Sequence, residues 1–164
     1  QPGLTFLDLS AAPGNKTAQA IALGARVVAS DRNLKRLKGL DGLDCHRVVL
    51  DGTVPLPFHT RFDRILVDAP CSGTGTLGRN PEIKWRLDAS NLANLHLLQV
   101  RLLTNALERL APGGRLVYST CSLEPEENED VLMEVLGSLP RLLVRRLPGR
   151  EPGDGFFAAV IPSE

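Results

Sequence analysis

Short apolar runs alternate with helix-length segments along the first half of the chain, and this rhythm narrows the fold more than any other feature. Leu4-Thr5-Phe6-Leu7-Asp8-Leu9 reads as a first strand, followed by a helix through Ala18, Ile21 and Ala22 that Gly24 closes. Ala25 to Ser30 is a second strand ending at Asp31. Leu34 to Leu40 is a basic helix, and Cys45 to Leu50 a third strand ending at Asp51. Pro55 and Pro57 mark a loop before a fourth strand, Arg61 to Val67. Strand–helix–strand succession demands parallel pairing through right-handed crossovers. The runs are continuously apolar rather than alternating, as in strands covered on both faces. The expected fold is α/β, with an open, mostly parallel sheet whose ligands belong outside the carboxyl ends of its strands.

The second half continues the pattern. Thr76 to Arg86 reads as a polar loop, with Ser90 placed to cap the next helix. Leu92, Leu95, Leu102, Ala106 and Leu110 recur at helical spacing until Pro112-Gly113-Gly114. Leu116-Val117-Tyr118 is a strand that delivers Ser119-Thr120-Cys121-Ser122. Pro125 suits a helix start, and Glu126, Glu127, Glu129 and Asp130 sit where the helix dipole favours negative charge. Val131, Leu132, Val135 and Leu136 form the apolar side of that helix, and Gly137 and Pro140 end it. Leu142 to Val144 and Phe156 to Ile161 are the last strands, near enough in sequence to pair as an antiparallel hairpin.

Composition sets bounds on function. The 164 residues suffice for one domain with a sizeable core, and the formal net charge is zero. Phosphate contacts dominate nucleic-acid affinity. Much of any grip on RNA or DNA is therefore expected outside this chain. Three cysteines and no leader sequence argue for a reducing, cytoplasmic setting rather than a disulfide scaffold. No apolar run has the length of a bilayer span. Gln1 is not a natural start, so a piece of a longer protein is expected.

Chemistry-bearing residues gather at the strand ends. Asp68-Ala69-Pro70-Cys71-Ser72-Gly73-Thr74-Gly75 puts a carboxylate, a stiffened turn and a thiol after the fourth strand. A carboxylate in a partly dry site can offer a proton to a ring nitrogen, which makes Asp68 a candidate general acid. After the first strand, Ser10-Ala11-Ala12-Pro13-Gly14-Asn15-Lys16-Thr17 is a turn of mostly small residues opening a helix. It has neither the spacing of dinucleotide enzymes nor that of phosphate loops, which disfavours a nicotinamide dehydrogenase. Asp31 stands where a ribose diol finds its partner, and Asp51 one strand further out, where it could face a base. Each aspartate alone reads as a turn residue; the coincidence with the loop favours a nucleoside-containing ligand. Cys45 reads as an inert thiol inside a strand. Cys71 and Cys121 each follow a strand end and precede a serine, and they are expected over one pocket. Tolerated surface thiols or a redox couple are the alternatives, the latter without a Cys-x-x-Cys to support it.

Together these segments, with Arg79-Asn80-Pro81-Glu82-Ile83-Lys84-Trp85 and Pro125-Glu126-Glu127-Asn128-Glu129, resemble the RNA (cytosine-5)-methyltransferases of the Sun/Fmu type. The likeness is nearest to the bacterial 16S ribosomal RNA members and spans nearly the whole chain, to Asp154-Gly155-Phe156-Phe157-Ala158. It implies a seven-stranded Rossmann-like S-adenosylmethionine-dependent methyltransferase sheet, mostly parallel with a C-terminal antiparallel hairpin and helices on both faces. It implies that residues 1–164 are the catalytic domain, with an RNA-binding region before it in the longer chain. By resemblance, Ser10, Ala11, Ala12, Pro13, Gly14, Asn15 and Lys16 line the methionine part of S-adenosylmethionine. Asp31 takes the ribose hydroxyls, Asp51 the adenine side, and Asp68 touches cofactor and target base. Cys121 is the nucleophile and Cys71 releases product. Arg79, Lys84 and Arg86 hold RNA, with Trp85 either stacking or packing in the core. A monomer with no metal and no membrane contact is expected.

The family loop usually has Cys at Ser10 and Gly at Asn15. Serine keeps a small polar group, and asparagine tolerates φ > 0 better than most residues. Two rivals remain. An amino-group methyltransferase would carry a Pro-Pro-aromatic turn where Pro70-Cys71 stands. A catalytically inactive RNA-binding or assembly module would keep the fold without the reaction.

Overall fold

The computed structural model describes residues 2–163. Its seven strands are β1 (Thr5–Asp8), β2 (Arg26–Asp31), β3 (His46–Val49), β4 (Phe62–Asp68), β5 (Leu110–Thr120), β6 (Leu142–Arg146) and β7 (Phe156–Pro162). The helices are α1 (Asn15–Ala22), α2 (Leu34–Leu37), α3 (Ile83–Arg86), α4 (Ala89–Leu107) and α5 (Glu129–Leu136). The strands form one sheet in the order β3-β2-β1-β4-β5-β7-β6. The first five pair in parallel; β7 enters antiparallel to both β5 and β6. The expected final hairpin is present, and its second strand is the one inserted against β5. Strand order reverses between β1 and β4, which opens a crevice at their carboxyl ends.

Apolar residues divide between the two faces. Under α4 and α5 the larger core takes Leu7, Ile65, Val67, Leu103, Leu116 and Phe157. Opposite, α1 and α2 close a smaller one over Val27, Ala29, Leu37 and Leu40. The edge strands are β3 and β6, whose Arg47, Arg145 and Arg146 stay exposed.

Local chemistry revises several expected elements. The basic helix over 34–40 divides into α2 and a 3₁₀ turn, Lys38–Leu40. The polar stretch 76–86 is not all loop: it begins in a 3₁₀ turn, Thr74–Thr76, and ends in α3. Helix α4 is capped by Asp88, whose carboxylate accepts the Asn91 N–H at 2.8 Å; Ser90 only donates to Asp88, at 2.7 Å. That helix ends at Leu107, so Leu110 belongs to β5, paired with Phe62. Pro112-Gly113-Gly114 lies inside the strand at a register shift, with Gly113 at φ 70°. A bulge accommodates the proline and the glycines there, so they interrupt the ladder without ending the strand. Pro125 opens a 3₁₀ turn, Pro125–Glu127, and α5 follows it and ends at Gly137 with φ 70°.

Leu103 is fully buried at the centre of the larger core. Leu103→Ala is expected to cost about 2–5 kcal/mol, since cavity and transfer terms add. Urea denaturation checks this as a lower midpoint with an unchanged slope.

Candidate active site

Parallel pairing brings Asp8, Asp31, Asp51 and Asp68 to one edge of the sheet, together with Cys121 just past β5. In the first loop Gly14 has φ 108°, and a Cβ there would lie 2.9 Å from Leu40 Cγ. Glycine is required at that point for both reasons. Asn15 is already the first residue of α1, and no non-glycine among the described residues has positive φ. The asparagine is therefore unstrained. Ser10, Ala11, Ala12, Pro13, Asn15 and Lys16 line a small cavity closed by Asp8 and Asp68, while Gly14 turns the chain behind it.

Asp8 is a residue that the strand pattern offered and the sequence reading left in the first strand without a role. It is 1% exposed; Thr17 Oγ1 donates to its Oδ2 at 2.7 Å, and its Oδ1 is buried without a partner. Burial pushes its carboxyl up to about 6. A second cavity shares Ser10 and carries Asp31, Asp51, Leu50, Pro70 and Leu102 in its wall. Asp31 accepts the Asn33 N–H at 2.9 Å and pairs with Arg36 at 3.4 Å. Arg36, also unforeseen, donates to the Ala12 carbonyl at 2.8 Å and so ties α2 to the loop. Asp51 accepts from Thr53 N–H (2.9 Å) and Oγ1 (2.7 Å), which hold its carboxyl below the usual range. It is a turn aspartate and a cavity wall at once.

The two thiols do converge. Cys71 Sγ and Cys121 Sγ lie 3.3 Å apart. The hydrogen bond from Cys71 brings the Cys121 thiol down to about 7, against the opposing effects of burial and of Asp68 and Glu127. The same bond, with burial, pushes Cys71 up. Cys121 is therefore the thiol that ionises more readily, with Cys71 as its hydrogen-bond donor. Asp68 faces the same space; Lys16 ion-pairs with it and Ser119 Oγ donates to it at 2.7 Å. Its side chain is 32% exposed, so the carboxylate is paired and partly wet rather than dry. A cavity of about 470 Å³ opens onto Cys121, Asp68, Lys16, Arg79 and Phe156.

Comparison with known proteins fits this geometry. Residues 1–142 match the family model described as 16S rRNA methyltransferase RsmB/F. The chain belongs to that family. It is 41% identical to ribosomal RNA small subunit methyltransferase B of Cronobacter sakazakii, over 97% of this chain and 42% of that protein. The Klebsiella pneumoniae protein of the same name is 40% identical, over 96% and 41%. The chain thus spans less than half the length of these curated relatives. Among solved structures, a methyltransferase homolog from Pyrococcus horikoshii superposes with TM-score 0.82 and 33% identity, over 100% of this chain and 63% of that one. NSun6 from the same organism, solved with SFG, gives 0.85 and 25%, over 98% and 48%.

The residues singled out for RNA do not form one cluster. Arg79 lies at the mouth of the Cys121 cavity and ion-pairs with Asp154. Lys84 lies 4.8 Å over the Trp85 ring, and Trp85 is 80% exposed, which excludes core packing. Arg86 borders a separate hollow on the Cys71 side, with Ile83 and Asn91. Cys45 is half-buried just before β3, against the smaller core and away from the other thiols. Glu127 departs most from expectation. It is not a solvated acid at a helix start but fully buried, and it accepts the Ser72 N–H at 2.8 Å. Its signal was the Pro-Glu-Glu-Asn string, which carried no assigned role.

Two tests follow from the electrostatics. Cys71→Ala removes the donor to Cys121, so the pH midpoint of Cys121 alkylation by iodoacetamide should rise above 7. Asp8 gains protons on folding between pH 3.8, its unfolded value, and about 6. Its contribution is thus complete below 3.8 and lost as pH rises through 6. Relative to the isosteric Asp8→Asn, the wild type should lose up to about 3 kcal/mol of stability across that window in chemical denaturation.

Proposed function

We propose that residues 1–164 form the catalytic domain of an enzyme that methylates carbon-5 of a cytosine in ribosomal RNA, in the cytoplasm and as a monomer, using S-adenosylmethionine. The observation that carries the reading is the sulfur pair: two thiols 3.3 Å apart beside a carboxylate at the crevice, with the contact to Cys71 holding the Cys121 thiol below its ordinary range.

The residues present suit the cofactor. The unpartnered, buried Oδ1 of Asp8 suits an ammonium group. The cavity that shares Ser10 offers Asp31 for ribose hydroxyls and Leu50, Pro70 and Leu102 for a flat ring, with Asp51 at its rim. When bound, S-adenosylmethionine supplies an electrophilic methyl group on a sulfonium. Lys16 and the loop 10–16 hold its methionine end.

The chain's own groups then account for the rest. Cytosine carbon-5 is a poor nucleophile while the ring is aromatic. The Cys121 thiolate adds to carbon-6, and the ring electrons pass to carbon-5, which becomes nucleophilic. Asp68 would deliver a proton to ring nitrogen 3, neutralising the charge that thiolate addition brings into the ring, with Lys16 and Ser119 positioning its carboxyl group. Once Cys121 sulfur is bonded to carbon it no longer draws on the Cys71 proton. Once carbon-5 has accepted the methyl group, Cys71 can pass its own proton to solvent through the hollow it borders and, as thiolate, take the carbon-5 proton while the carbon-6–sulfur bond breaks and Cys121 leaves as thiolate. The target base must leave its stack to reach this depth. Arg79, Lys84 and Arg86 would hold phosphates, and the exposed Trp85 ring would stack on an unpaired base.

Cys71→Ala should accumulate a covalent RNA–protein adduct, seen as a slow band on a denaturing gel. Cys121→Ala should give neither adduct nor 5-methylcytosine; methylation by that variant would overturn the assignment.

A further inference from the structure

Behind the thiols, away from the cavity, lies the most buried acidic side chain of the described residues. Glu127 is 0% exposed, and none of the described ion pairs includes it. Burying a carboxylate this way is costly unless hydrogen bonds occupy its oxygens. Here they are occupied: Oε1 accepts the Ser72 N–H at 2.8 Å and Gln99 Nε2 at 3.0 Å, and Oε2 accepts Ser72 Oγ–H. Gln99, fully buried on α4, also donates to the Pro70 carbonyl at 2.9 Å. Both residues flanking Cys71 are therefore held through this one carboxylate and its glutamine.

The next residue does the same for the other thiol. Asn128 is likewise 0% exposed. Its Nδ2 donates to the Ser122 carbonyl at 3.1 Å, and its Oδ1 accepts from Thr120 Oγ1 at 2.6 Å. Thr120 and Ser122 flank Cys121. Two consecutive side chains thus grip the neighbours of both cysteines. Tyr118, buried under the site, anchors the grip by donating to the Glu127 carbonyl at 2.6 Å.

We infer that Glu127 and Asn128 are positioning residues that set the separation of the two sulfurs, Glu127 by holding the Cys71 turn and Asn128 by holding the end of β5. Neither side chain lies in the wall of the cavity that opens onto Cys121. The catalytic meaning rests on the reading above; the separation itself does not. Glutamine at 127 keeps the length but has one acceptor oxygen where two are used, and turns an N–H₂ toward donors. Aspartate at 128 keeps the acceptor for Thr120 and loses the donor to Ser122.

The test is a thiol measurement that needs no RNA. In a Cys45→Ser background, dibromobimane bridges two thiols only when they are adjacent. The parent should be bridged rapidly between Cys71 and Cys121. Glu127→Gln and Asn128→Asp should each slow bridging at least tenfold, with an unchanged circular dichroism spectrum. In methylation the same variants should lose kcat with little change in KM for RNA. Parental bridging in both variants would overturn the inference, as would a loss that only tracks the unfolded fraction. Methylation by Cys121→Ala would sink the proposed reaction and leave the bridging result standing.

Discussion

The parallel pairing of β4 with β5 is the constraint on which the site depends. Val67 lies opposite Tyr118 and Asp68 opposite Ser119, and the ladder is extended by Ala69 N–H to the Ser119 carbonyl at 2.8 Å. Neighbouring strands stand about 4.8 Å apart. Two chains leaving them side by side begin within reach of a sulfur–sulfur contact. Gly75 keeps them together: its N–H donates to the Cys121 carbonyl at 2.9 Å, and its carbonyl accepts from Gly155 at 2.7 Å. A Cβ at Gly75 would lie 2.6 Å from the Gly155 oxygen, so three backbone segments meet where only glycine fits. A slip of one residue in this register would turn Asp68 to the other face of the sheet.

Opposing effects then decide which thiol carries charge. Burial disfavours a thiolate at either position, and Asp68 and Glu127 add negative potential at Cys121. One short contact between the sulfurs works against them, since a thiolate at Cys121 can accept a hydrogen bond from the Cys71 thiol. The asymmetry comes from geometry, since the two residues are chemically the same.

The parallel half of the fold was legible because its strands are apolar on both faces and end in carboxylates. Asp31, Asp51 and Asp68 fall on one edge as the pattern required, and Asp8 joins them there. Cys71 and Cys121 were legible as a pair because each follows a strand of adjoining position. The misreadings had local causes. Leu110 matches a helical period, but the larger core draws it into β5. Ser90 and Asp88 are equally good caps by type, but Asp88 stands at the position where the chain turns into α4. Glu127 was read by its charge. Its role depends on α4 and the Cys71 turn, about 30 and 55 residues away in sequence, meeting it in space, and no one-dimensional pattern records that meeting.

The sheet is open, so β3 and β6 each leave a row of backbone groups unpaired. Exposed ladders of this kind template the addition of foreign strands and seed aggregates. Arg47 on β3 and Arg145 and Arg146 on β6 put guanidinium groups on both edge strands, each paired with a carboxylate, Asp41, Glu129 and Glu151. A strand laid along either margin would bring its own side chains against these charges and strip water from them. The fold thereby limits its own lateral growth at both ends while its chemistry stays at the centre.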